Sequence, residues 1–153
     1  MNKISWCKKK KGGIRIINPN SNLAEAYVKK AEDSLKSMRI NKIKDWKIAT
    51  AYYTMYFSLY SILMKIGVKC EIHSCTIEFA KHFLRRYFSN EEIDFLSSSL
   101  KARIDAQYYV KREVEEEQFD EIIRRAPKFF VKCKHIKSKI TEKEITEIRN
   151  KLK

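Results

Sequence analysis

Glycine and proline are scarce, with three and two copies in 153 residues. A sheet-rich fold needs many such residues at its turns, so their shortage excludes a many-stranded architecture and leaves helices as the building material. No apolar stretch follows Met1, and the chain soon runs into Lys8–Lys11, so no secretory leader is expected. The four cysteines, Cys7, Cys70, Cys75 and Cys133, are therefore expected to be reduced thiols in a cytoplasmic protein. Cys70, His73 and Cys75 fall close together, but zinc needs a fourth ligand and no second paired motif is present, so no metal is expected. Neither a Gly-x4-Gly-Lys motif nor any Gly-rich loop occurs, so nothing cradles a nucleotide phosphate in the usual way and no cofactor is expected.

What the chain has in excess is positive charge. Its 33 Lys and Arg stand against 19 Asp and Glu, a formal net charge of +14. Such an imbalance attracts polyanions by long-range fields and counterion release, although a solvated lysine face produces the same total. The first twenty residues carry Lys3, Lys8, Lys9, Lys10, Lys11 and Arg15 without one acid. Gly12-Gly13 and Asn18-Pro19-Asn20 interrupt this segment, which reads as an irregular basic arm. Trp6, Ile14, Ile16 and Ile17 give parts of it a reason to dock on the body or to pair briefly as strand. Residues 21–153 form one further unit of ordinary domain size.

Apolar residues at helical spacing place a first helix from Ser21 or Asn22, either able to cap it, to about Met38, with Leu23, Tyr27, Ala31, Leu35 and Met38 on one stripe. The second, roughly Lys44 to Ile66, carries the strongest signal: no charge occurs from Ile48 to Met64, and Gly67 supplies a C-cap. Its many Tyr, Thr and Ser residues make it too polar and too short for a bilayer segment, so it reads as a central bundle helix wrapped by neighbours and by a second subunit. A third helix is expected from Cys75 to Phe88 with Ser74 as cap, and a fourth from the capping box Ser89-x-x-Glu92 to Tyr108. Phe119 to Ile140 defines a long amphipathic helix bent near Pro127. A second box, Thr141-x-x-Glu144, opens a short last helix that either forms or frays. The fold class is thus all-α: an up-and-down four-helix bundle with a short extra C-terminal helix.

Several segments together resemble the HEPN family, in its archaeal and bacterial branch. They are Leu23-Ala24-Glu25-Ala26-Tyr27 on the first helix and Ala51-Tyr52-Tyr53-Thr54-Met55-Tyr56-Phe57 on the buried one. To these are added His73-Ser74 before a helix, and Arg103-Ile104-Asp105-Ala106-Gln107-Tyr108 ahead of the long amphipathic helix. The likeness spans about residues 22–140. It implies a dimeric bundle in which facing copies of the Arg-bearing helix form a shared cleft. It also implies work as a toxin–antitoxin component, as a partner of a minimal nucleotidyltransferase, or as a metal-independent ribonuclease.

In the ribonuclease members a His separated from the Arg by four to six residues moves the proton of an RNA 2′-OH, and the Arg stabilises the charged phosphate. Here Tyr108, Tyr109 and Val110 stand where that His would fall. The resemblance makes Arg103, Asp105 and Tyr108 the candidate site. Asp105 is expected to orient Arg103 across the dimer cleft, and Tyr108 to bond a phosphate or stack on a base. Of the three histidines, His73, His82 and His135, none is paired with a nucleophile by the sequence, and capping or solvent-facing roles are expected. Glu113 to Glu121 would repel phosphate beside Arg103. The candidate nucleic-acid-facing cations, for RNA or DNA, are therefore Lys8, Lys9, Lys10 and Lys11 with Lys132, Lys134, Lys137 and Lys139.

Overall fold

The uncharged run lies inside a helix spanning Lys44–Ile66, which is the spine of the molecule. From Ala51 onward nearly all of it is buried, and helices in Ser21–Ile40, Asn90–Tyr108 and Glu116–Lys139 pack around it. A helix apolar around its whole circumference is stable only when enclosed in this way. Its buried hydroxyls do not go unpaired: Thr54, Ser58 and Ser61 donate to the carbonyls of Thr50, Thr54 and Ser58 on the same helix.

The computed structural model describes all 153 residues. In chain order the elements are α1 (Lys3–Lys9), β1 (Arg15–Ile16), α2 (Ser21–Ile40), α3 (Lys44–Ile66), β2 (Val68–Lys69), α4 (His73–Phe83), α5 (Asn90–Tyr108), α6 (Glu116–Lys139) and α7 (Glu142–Leu152). The fold is an all-α bundle, as the spacing of apolar residues indicates, and no helix is long and apolar enough to cross a membrane. Both capping boxes form, at Ser89 with Glu92 and at Thr141 with Glu144. Asn20, rather than Ser21 or Asn22, caps α2 by accepting the Leu23 N–H. α6 runs through Pro127 as one helix.

Three expectations are corrected. The arm is not irregular: Asn2 caps α1, and β1 pairs antiparallel with β2, Ile16 opposite Val68. Docking of the arm, including its brief strand, is seen. The cysteines are not all reduced, because Cys7 of α1 and Cys75 of α4 form a disulfide with Cα atoms 5.6 Å apart. Their separation of 68 residues conceals a contact that exists only once α1 lies on α4. Cys70 and Cys133 are free and buried. Finally, α4 starts at His73 without a side-chain cap and stops at Phe83 instead of Phe88. Leu84 leaves helical geometry there, because a turn from Leu84 to Phe88 lets both of these buried side chains reach the core.

The C-terminus of α3 is a junction. Gly67 adopts φ +89°, closing α3 by donating to the Leu63 carbonyl, and a Cβ there would run into the Ile17 carbonyl and the Arg149 guanidinium. Arg149 of α7 sends Nη1 to the carbonyls of Ile17, Ile66 and Gly67 at 2.7, 3.1 and 2.9 Å. One cation thus satisfies carbonyls at the helix end and in the arm, and it holds α7 in place.

Candidate functional site

Arg103 lies on the face of α5 that packs against α3, in line with the buried Ile93 and Leu96, and is only 9% exposed. The small buried residues Ser99 and Ala102 beside it let the two helices approach. Its Nη1 donates to the Tyr53 hydroxyl at 3.2 Å and to Gln107 Oε1, one turn further along α5, at 3.1 Å. The guanidinium carbon stands 5.3 Å from the Tyr52 ring centre and 5.4 Å from that of Tyr53, a cation against two π faces. Nε is buried and has no hydrogen-bond partner, whereas Nη2 makes no bond within the chain and is not enclosed. No carboxylate comes within ion-pair distance. A buried cation normally has a counter-ion, because desolvating it unpaired costs on the order of several kcal/mol; here neutral partners, Tyr53, Gln107 and the two ring faces, stand in its place.

His73, the first residue of α4, belongs to the same cluster. Its ring stacks on Tyr56 with centroids 3.9 Å apart, and its Nδ1 lies 2.8 Å from the Tyr52 hydroxyl. Burial, aided by repulsion from Arg103, pulls its pKa from 6.5 down to about 4, so the ring is neutral at physiological pH. Burial also pushes the Tyr52 phenol well above its ordinary value, keeping it protonated. Tyr52 is fully buried and its hydroxyl has no other acceptor, so it donates to Nδ1 and leaves His73 with its proton on Nε2.

The other residues singled out from the sequence are distributed around this centre. Asp105 pairs with Arg112 at 3.2 Å and does not touch Arg103 within the chain. Tyr108 is 68% exposed at the end of α5. Among the lysines, Lys132 grips both oxygens of Glu92 at 2.7 Å, Lys134 faces Glu32 at 3.9 Å and Lys137 pairs with Glu25. These three lysines thus have acid partners, Lys134 at an exposed position, while Lys139 is exposed and makes no ion pair. Lys8, Lys9, Lys10 and Lys11 are exposed without an acid partner, Lys10 lying over the Trp6 ring. His82 is bonded to Glu78 on its own helix at 2.9 Å, and His135 is exposed.

Sequence reasoning thus reached Arg103 but not the residues that surround it. Tyr52, Tyr53, Gln107 and the pairing of His73 with Tyr52 lie on three different helices. The signal for them was the Tyr-Tyr pair within the α3 motif and a His opening the next helix.

With that geometry in view, comparison with known families is decisive at one level. The family model described as "HEPN domain" matches residues 24–136, most of the chain and the whole Arg103 cluster. This chain belongs to the HEPN domain family. No curated protein matches it closely enough to stand as a relative. Arg103 is on α5, while the imidazole that shares its tyrosine pair comes from α4.

Proposed function

We propose that this HEPN chain is a nucleic-acid-associated interaction module. In this reading it works as a homodimer beside a minimal nucleotidyltransferase in a toxin–antitoxin type of pair, and it holds RNA through a phosphate received by Arg103. The observation that carries the reading is a guanidinium 9% exposed, without a counter-ion and with its Nη2 making no bond within the chain. The unpaired lysines of α1 and the segment after it add a diffuse attraction for the same polyanion. An apolar border supports the dimer: Ile43 and Trp46, 59% and 51% exposed, line a depression with Ala106 and Gln107 next to the cluster.

A ribonuclease reading is favoured by one observation, the presence of His73 beside Arg103, and opposed by two. The imidazole stays neutral far below neutral pH, which makes it a weak base, and its Nδ1 is already occupied by Tyr52.

The test is to incubate single-stranded RNA with the protein and with Arg103→Ala, following both retention and integrity of the strand. Binding without cleavage, weakened about tenfold or more by the substitution, is expected. Cleavage that disappears with Arg103→Ala establishes the ribonuclease instead, and equal behaviour of the two proteins removes Arg103 from either role.

A further inference from the structure

No histidine follows Arg103 on α5, but one comes near it from another element. His73 reaches the neighbourhood of Arg103 from the start of α4. Its ring centre is 5.7 Å from that of Tyr52 and 6.3 Å from that of Tyr53, the two rings that also hold the guanidinium. Stacking on Tyr56 and the bond from Tyr52 fix the ring plane and the tautomer. The remaining Nε2–H makes no bond within the chain and is not enclosed. Two unused donors, one cationic and one neutral, therefore border the same pair of tyrosines.

We infer that His73 Nε2–H and Arg103 Nη2 together bind one phosphodiester of single-stranded RNA, His73 acting as a fixed neutral donor and moving no proton. The inference rests on the reading of Arg103 as an anion receptor and adds its second donor and the class of strand. A neutral donor suits this place, since a second buried cation beside Arg103 would be repelled by it. The class of strand follows from the surroundings. Arg103 is only 9% exposed and His73 is half-buried, so a phosphate on the rigid cylinder of a duplex reaches them less readily than one on a splayed strand. Trp46, Tyr53 and Phe57 fall on one face of α3, Trp46 exposed and the other two half-buried, and offer rings for unstacked bases. Lys30 lies over Phe57 at 4.8 Å, so the platform is bordered by a further cation.

The experiment measures binding of a fluorescent, 2′-O-methylated oligouridine octamer to the full-length protein and to His73→Gln, His73→Asn and Arg103→Gln. The terminal amide of Gln places an N–H where Nε2 stood, while Asn keeps an acceptor for Tyr52 and has nothing at that point. Affinity within about threefold of the parent is expected for His73→Gln and a loss of about tenfold for His73→Asn, with the His73 ring Nε2–H resonance shifting when the octamer is added. Equal affinity of both His73 variants and an unmoved ring resonance overturn the role of His73, and if Arg103→Gln still weakens binding the reading of Arg103 stands. If the parent binds no octamer, or Arg103→Gln binds as the parent does, that reading fails and the inference falls with it. A duplex of the same chemistry that binds as tightly as the single strand overturns the assignment of strand class.

Discussion

His73 carries a cost at the scale of single residues. Unfolded, its imidazole takes up a proton near pH 6.5; folded, burial and the facing Arg103 hold it neutral down to about pH 4. Between those values the unfolded chain binds more protons, so stability falls as pH drops through this window and is unaffected by His73 above it. The loss is expected to reach about 1–2 kcal/mol by pH 4.5, less than the full shift implies because solvent reaches part of the ring. Urea denaturation at pH 7 and pH 4.5 measures it, and His73→Phe, which keeps a ring to stack on Tyr56, should flatten the difference. Arg103 was legible in the sequence because it stands in a short recognisable segment. The partnership of His73 was not, since 21 residues separate it from Tyr52 and only the turn from α3 through β2 into α4 brings the hydroxyl to Nδ1.

Elements were read more successfully where local chemistry sets them. α3 has the span that its uncharged run and Gly67 indicate, and α5 and α7 begin at their capping boxes. Where long-range contact decides, the sequence was silent: α4 ends early to bury Leu84 and Phe88, and α1 is held by a covalent link to α4. Two outcomes follow. Reduction of Cys7–Cys75 by a dithiol, or the pair Cys7→Ser and Cys75→Ser, should lower stability by about 2–4 kcal/mol, read as a lower melting temperature, because a long loop is no longer closed in the unfolded chain. Arg149→Ala should cost about 2 kcal/mol or more by thermal or urea melting, since three carbonyls lose a charged donor at once. An unchanged melting curve would mean that α7 contributes nothing to the end of α3.

For the whole molecule, two properties are in play: how copies meet and what they hold. If the border around Ile43 and Trp46 joins two copies, Trp46→Glu should turn a dimer into a monomer in light scattering while circular dichroism stays helical. The charge of +14 was visible from composition, but its useful part was not. Folding pairs Lys132, Lys134 and Lys137 with Glu92, Glu32 and Glu25 and leaves Arg103, a buried cation, without a counter-ion. The most direct measurement is the salt dependence of single-stranded RNA affinity for the parent protein and Arg103→Gln. Tight binding that weakens steeply with salt is predicted for the parent. For the variant, affinity should drop at least about tenfold and the slope of log K against log salt should be shallower by roughly one phosphate contact. Superimposable lines for the two proteins would contradict the assignment of Arg103 as the receptor of the RNA phosphate.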